Sequence, residues 1–414
     1  MTGTARQATT GGNMEEPRVA IIGGGAAGLS AAVAAARLGA AVTLLEADAR
    51  VGKKILVTGN GRCNLTNSSV SPSAYNHPEF VEQVLAGHSC DAIRSFFGGM
   101  GLLTYADEEG RVYPVCNAAA SVLEVLRLEC GHLGVDTRCG FEVTGIAEAP
   151  DSAGFEVLSR DGGKLRADAV VVTTGGGESL LTATGHGSVE CVPVLCPLKT
   201  ELEPIRGLSG VRVKCAASIL SGDGEPVATE RGELLFREYG VSGIMVFDLS
   251  RFLERGSTLC VDFFPDMSAP DMRALLSGRC TDLSWRTAQT FFDGMLHSRV
   301  AQAVLRAARI DSKTPVAELP CEPLAVILKD FRLTITGTGD AAQAQVTRGG
   351  ASVGDFDPHT MGSRLMPGLY AAGEALDIDG RCGGYNLHWA WASGIVAGQS
   401  AARLAETCAT GDYE

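Results

Sequence analysis

No apolar run in this chain reaches the roughly 18 residues that a membrane-spanning helix needs, so no contact with a membrane is expected. Residues 1–17 (MTGTARQATTGGNMEEP) have no apolar core either, which excludes a signal peptide and reads as a disordered tail. Basic residues are in deficit: 35 Lys and Arg stand against 48 Asp and Glu, a net charge of −13. Nucleic-acid binding rests on a basic footprint, so nucleic acid is not an expected partner. The 13 cysteines contain no Cys-x-x-Cys pair and no Cys/His cluster at zinc spacing. That excludes a zinc ribbon and a close-spaced redox dithiol, and no metal is expected. Buried, reduced thiols of a cytoplasmic protein are the simpler reading. Internal repeats and low-complexity linkers are also missing, and nothing here fixes the oligomeric state.

Glycine is abundant, with 52 residues in 414. The glycines follow no collagen-like period and gather where apolar stretches end, which suits close approach of a backbone to a ligand. Arg18–Ile22 reads as a buried strand. Gly23-Gly24-Gly25-Ala26-Ala27-Gly28 follows, then an Ala-rich helix ending near Gly39, then a strand at Ala41–Leu45 closed by Glu46. Gly23 would make the tight turn, Gly25 would admit a pyrophosphate, and Gly28 would let helix and strand pack closely. Ala26 and Ala27 open the helix, whose free N–H groups and positive end suit phosphates. Glu46, about 20 residues on, is placed to accept ribose hydroxyls, as in FAD or NAD rather than NADP.

Two further sets of signals point the same way. Ala169–Val172 is a continuous β-branched run leading to Thr174, Gly175 and Gly176, as in a strand buried on both faces. Its expected neighbours are Phe141–Ile146 and Phe155–Ser159, joined by a turn at Asp151–Gly154. Near the C-terminus, Leu369–Ala372 runs into Gly373 and Glu374. Then Gly383 and Gly384 precede Tyr385, Asn386 and an apolar helix over Leu387–Ala402. A dehydrogenase using NAD alone needs only the first set. A flavin needs contacts for its ribityl chain and ring, and a helix start is suited to the N1–C2=O edge of a reduced flavin. The expected fold is α/β, a doubly wound sheet of Rossmann type.

The runs GKKILVTGNGRCNLTN (Gly52–Asn67), GRVYP (Gly110–Pro114), LLFREYGVSG (Leu234–Gly243), AQVTRGGAS (Ala344–Ser352) and GLYAAGEALDIDGRCGGYNLHWAWASG (Gly368–Gly394) carry a more specific signal. With these runs the chain resembles the bacterial flavoproteins described as aminoacetone-oxidase-like FAD-binding enzymes. The resemblance implies FAD and a split FAD domain over 18–196 and 349–414. It also implies a β-barrel-like insert over 197–264 and 331–348, and a helical domain over 265–330. It places Lys54, Asn60, Gly61, Arg62, Cys63 and Asn64 along the pyrophosphate and flavin, and Gly384–Leu387 at the ring. Two activities are implied as alternatives. One is oxidation of a small amine by oxygen; the other is reduction of an enone of steroid type with transient NAD(P)H. Gly177–His186 departs from the family pattern, being shorter and lacking its Gly-Asp-Gly element.

The expected activity is that of an FAD-dependent oxidoreductase, passing hydride through flavin N5 to or from a small organic substrate. A flavin-binding protein without turnover and an FAD-dependent RNA-modification factor are readings of other classes; the acidic charge speaks against the latter. Catalytic candidates are His186 and His388, whose imidazoles titrate near neutrality, Tyr385 at the helix start, and the Cys63 thiol. Each has a structural counterpart: a satisfied core histidine, a residue of a helix start, a small side chain beside the flavin.

Overall fold

The computed structural model describes residues 16–150, 154–176, 180–339 and 344–410, the last six of these by backbone alone. Residues 1–15 of the expected tail, Asp151–Ala153 of the expected turn and Gly177–Ser179 of the shortened segment lie outside the described residues.

The chain forms two units, 1–191 with 347–414, and 192–346. The first is built on a five-stranded parallel sheet of β1 (Arg18–Ile22), β2 (Ala41–Glu46), β3 (Asp136–Cys139), β4 (Ala169–Val172) and β5 (Leu369–Ala371), in the order β5-β4-β1-β2-β3. Val19–Ile22 and Ala169–Val172 are buried throughout, because the two central strands are covered on both faces. The hairpin expected beside β4 is not its partner. Val143–Glu148, Phe155–Ser159 and Lys164–Ala167 form a separate antiparallel sheet. Phe155–Ser159 alternates fully and partly buried residues, the pattern of a sheet covered mainly on one face, and β1 and β5 already flank β4.

Helix α1 (Ala26–Ala36) follows β1, and α2 (Tyr385–Thr410) follows β5. They cross with backbones close together. A Cβ added to Gly394 would lie 2.4 Å from the Ala27 carbonyl oxygen, and one on Gly398 would lie 2.3 Å from that of Ala31. Small residues on both helices permit this contact, and it brings the start of α2 towards the C-terminal edge of the sheet.

The second unit contains a closed six-stranded barrel. Around it, in order, run Leu198–Thr200, Gly240–Ser242, Pro226–Arg237, Arg212–Leu220, Thr258–Asp262 and Phe331–Thr338. Helices Ala269–Asp282, Ser298–Ala307 and Cys321–Lys329 belong to the same unit. The helical segment expected as a domain of its own shares one apolar core with the barrel: Phe291, Val304 and Leu328 cluster with Leu259, Val261 and Leu333. Among the described residues, no helix is long and apolar enough to cross a membrane.

Candidate active site

The glycine-rich turn shows what each glycine is for. Gly23 has φ +106°, and a Cβ there would sit 2.5 Å from the Thr173 carbonyl oxygen. A Cβ on Gly28 would lie 1.8 Å from the Gly23 carbonyl oxygen, so helix and turn touch backbone to backbone. Gly25, which caps α1, is different: among the described residues, a Cβ there would meet nothing within 4 Å. Open space therefore faces the start of α1, and Ala26 and Ala27 begin a helix with no acidic residue in its first turn. That combination fits an anion. Thr173 Oγ1 donates to the carbonyls of Ile22 at 2.9 Å and Gly23 at 2.8 Å, pinning the turn from β4.

Glu46 ends β2 with its carboxylate held by the backbone: Gly24 N–H donates to Oε2 at 2.7 Å and Asp48 N–H to Oε1 at 2.8 Å. A carboxylate has about four lone-pair sites, so acceptor capacity remains on both oxygens for a ribose diol. At the ends of β4 and β5, Lys54, Gly175 and Glu374 meet. Lys54 Nζ is 3.5 Å from Glu374 Oε2, and a Cβ on Gly175 would come within 3.5 Å of the same ammonium. Thr174 is exposed beside them, while a Cβ on Gly176 would run into Thr347 at 2.3 Å. Gly373 is fastened to α2: its N–H donates to Ser393 Oγ at 3.0 Å and its carbonyl accepts from Trp389 Nε1 at 3.1 Å.

The Gly59–Asn67 loop divides into two parts. Asn60, Gly61 and Arg62 are exposed, whereas Cys63 to Asn67 are buried. Asn60 and Cys63 adopt left-handed backbone at φ 56° and 58°, unusual for residues with a Cβ. The Arg62 guanidinium lies over the Tyr113 ring at 4.5 Å, so this cation is placed by an aromatic face. The buried part is fastened to α2 and the loop before it. Asn67 Nδ2 donates to the Gly383 carbonyl at 3.0 Å, and Trp391 Nε1 donates to that of Leu65 at 3.1 Å. Thr66 Oγ1 and His388 Nδ1 share a hydrogen bond of 2.7 Å. Gly384 has φ +102°, and a Cβ on it would come 2.5 Å from the Thr66 carbonyl oxygen and 2.8 Å from Asn64 Oδ1. That Asn64 oxygen is buried and, among the described residues, has no hydrogen-bond partner. A buried acceptor left open beside a helix start is a place for a ligand N–H or O–H.

The catalytic candidates fare unequally. Cys63 is fully buried, and burial pushes its thiol up to about 12, so it is neither accessible nor a nucleophile at neutral pH. His186 is a satisfied core residue. Nδ1 lies 2.9 Å from Thr184 Oγ1 and 3.1 Å from the Leu181 carbonyl, and Nε2 lies 2.7 Å from Ser363 Oγ. Its ring also stacks on Phe356. His388 has no exposed surface, and burial lowers its pKa to about 4, which keeps it neutral and away from solvent. Tyr385, partly buried, accepts the Tyr75 hydroxyl at its carbonyl, 2.8 Å away. Asn386 clamps the preceding loop: Oδ1 accepts from Gly380 N–H at 2.8 Å, and Nδ2 donates to the Gly380 carbonyl at 2.9 Å. Leu387 is a partly buried member of the apolar core.

Three residues were not expected here. Thr173 and Ser393 act through backbone contacts that no motif marks. The third is His77, whose Nε2 lies 3.0 Å from Asp377 Oδ2 across 300 residues of sequence. Asp377 Oδ1 also accepts the Gly349 N–H at 3.0 Å, and Asn76 Oδ1 accepts that of Asp379 at 2.9 Å. The hydrogen bond to Asp377 raises the His77 pKa. The signal lay in the two aspartates of the C-terminal run, but nothing in sequence joins them to His77.

Open space at Gly25, free acceptor capacity on Glu46, the Lys54–Glu374 pair and the unpartnered Asn64 oxygen line the C-terminal side of a doubly wound sheet, where such folds bind dinucleotides. These residues fit FAD, and the class is that of FAD-dependent oxidoreductases. More narrowly, the chain belongs to the family described as HI0933-like protein Rossmann domain, matched over residues 17–400. It is 37% identical to the 3-dehydro-bile acid delta(4,6)-reductase of Clostridium scindens, over 93% of this chain and 99% of that protein. It is 28% identical to the ribosomal RNA dihydrouridine synthase of Escherichia coli, over 93% of this chain and 98% of the relative. The protein of that name in Haemophilus influenzae is 26% identical, over 92% and 98%.

Proposed function

We propose that this protein reduces a carbon–carbon double bond conjugated to a carbonyl in a small, enone-type organic substrate such as a 3-oxo steroid. The observation that carries the reading is the 37% identity, over nearly the full length of both chains, to a relative named as a reductase of such a compound. The other relatives' names also denote saturation of a ring double bond next to a carbonyl, here in uridine. The net charge of −13 favours a small molecule over RNA as substrate.

Bound FAD would supply hydride transfer at the flavin ring. The residues of the chain bind and orient it. The α1 start and Gly25 would take the pyrophosphate, and Glu46 the adenosine ribose. Asn64 and the backbone at Gly384–Asn386 would hold the flavin's polar edge, with the positive end of α2 directed at developing negative charge. The Asn386 clamp and the Asn67–Gly383 bond keep that helix start in one conformation. The proposed donor is NAD(P)H, bound transiently.

Anaerobic stopped-flow spectroscopy of the yellow protein tests the proposal. NADH or NADPH should bleach the flavin band, and a 3-oxo-Δ4,6 steroid should restore it. Bleaching by aminoacetone with recovery in oxygen would instead support amine oxidation. Recovery only with unmodified ribosomal RNA would support the RNA reading and overturn the small-molecule one.

A further inference from the structure

Cys280 and Cys321 lie 41 residues apart in sequence, and their sulfurs are 2.9 Å apart in the fold. Both are free thiols and both are partly exposed. They sit on two packed helices, Ala269–Asp282 and Cys321–Lys329, also joined by an ion pair from Arg273 Nε to Glu322 Oε1 at 2.9 Å. Met272 and Leu276 on one helix, and Leu324 and Leu328 on the other, are buried in the same core, so the pair is held in register.

A disulfide needs a sulfur–sulfur bond of about 2.0 Å, less than an ångström of further closure from this arrangement. Burial raises the Cys280 thiol to about 12, so little of Cys280 is thiolate at neutral pH.

We propose that Cys280 and Cys321 form a reversible disulfide, an oxidation site that staples the two helices when the protein meets a hydroperoxide. One sulfur, as thiolate, attacks the peroxide O–O bond, giving a sulfenic acid and releasing water once the leaving oxygen is protonated. The second sulfur then attacks the sulfenic sulfur. The S–S bond forms, the S–O bond breaks and a second water leaves. Two thiols lose two electrons and two protons, and with hydrogen peroxide as oxidant two waters are the products. A dithiol reductant reverses the change by thiol–disulfide exchange.

The test uses the full-length, FAD-loaded protein treated with hydrogen peroxide, then blocked with N-ethylmaleimide and digested with trypsin without reductant. The expected product joins peptides Cys280–Arg286 and Thr314–Lys329, lighter than their sum by two hydrogen atoms and separated by dithiothreitol. Oxidised protein should also melt a few degrees higher, because the cross-link restricts the unfolded chain. Cys280→Ser and Cys321→Ser, each alone, should abolish both changes. Peptide mapping of the wild type needs no variant to fold. Recovery of Cys280 and Cys321 as separate blocked thiols or separate sulfinic acids, while exposed Cys116 is oxidised, would overturn the proposal.

Discussion

Asn67 Nδ2 donates to the Gly383 carbonyl at 3.0 Å, joining two loops 316 residues apart. It ties the buried end of the Gly59–Asn67 loop to the glycines before α2, beside the unpartnered Asn64 oxygen. Loss of one such bond costs about 1 kcal/mol. Asn67→Ala should therefore weaken FAD binding by roughly fivefold while the protein still folds. Fluorescence titration of apoprotein with FAD measures this, and an unchanged Kd would separate the bond from the cofactor site.

Gly25 and Gly28 stand three residues apart and should respond in opposite ways. A Cβ on Gly25 enters open space, so Gly25→Val should leave the melting temperature of apoprotein nearly unchanged and remove FAD retention. A Cβ on Gly28 lies 1.8 Å from the Gly23 carbonyl oxygen, so even Gly28→Ala should destabilise the apoprotein, by about 1–3 kcal/mol. Melting curves with and without FAD distinguish the two. Equal loss of stability in both would contradict the open space at Gly25.

Cys63 is expected to be inert. Fully buried and with its thiol pushed up to about 12, it should resist iodoacetamide in the native protein at pH 7.5 and react only on unfolding. Cys63→Ala should retain FAD and most turnover. A flavin-replete Cys63→Ala protein without activity would restore the catalytic thiol.

The expectations held or failed for physical reasons visible in particular residues. The strand at Arg18–Ile22, its glycine turn and the Ala-rich helix were legible because burial pattern, turn chemistry and helix propensity agree within about 20 residues. Ala169–Val172 was legible as a buried strand, but its neighbours were not, since a parallel sheet pairs segments far apart in sequence. The helices of 265–330 look self-sufficient by periodicity, yet their apolar faces are shared with the barrel, which periodicity does not report. His186 and His388 carried the right chemistry in the sequence; the fold buries both, and burial, invisible there, holds His388 neutral. His77–Asp377 and Cys280–Cys321 were illegible because only the fold brings each pair together.

His77 and His388 should give stability opposite pH dependences. The pKa of His77 is raised in the folded state, so its contribution is full below the unfolded value of about 6.5 and fades as pH rises through the folded pKa. Its side chain is 38% exposed, so screening limits the effect to under about 1 kcal/mol. The destabilisation by His77→Ala should shrink between pH 6 and 8. His388, lowered to about 4, stabilises fully above the unfolded value, and that contribution is lost as pH falls from about 6.5 towards 4. The loss is on the order of 3 kcal/mol and should be relieved in His388→Asn if the asparagine keeps the bond to Thr66. Urea midpoints of both variants across this range test the two signs, and parallel curves for wild type and variants would refute them.

Gly398 offers a test of how α2 is positioned. A Cβ there would meet the Ala31 carbonyl oxygen at 2.3 Å and the Ala31 Cα at 2.8 Å, both backbone atoms that cannot turn aside. In an exposed helix, Gly→Ala would stabilise by nearly 1 kcal/mol through propensity. Here the helices must separate instead, and Gly398→Ala should cost about 1–3 kcal/mol. Because α2 carries Gly384–Leu387 at its start, the shift should also weaken FAD binding, although position 398 is several turns away from the site. A variant more stable than wild type would mean that the two helices do not cross at this distance.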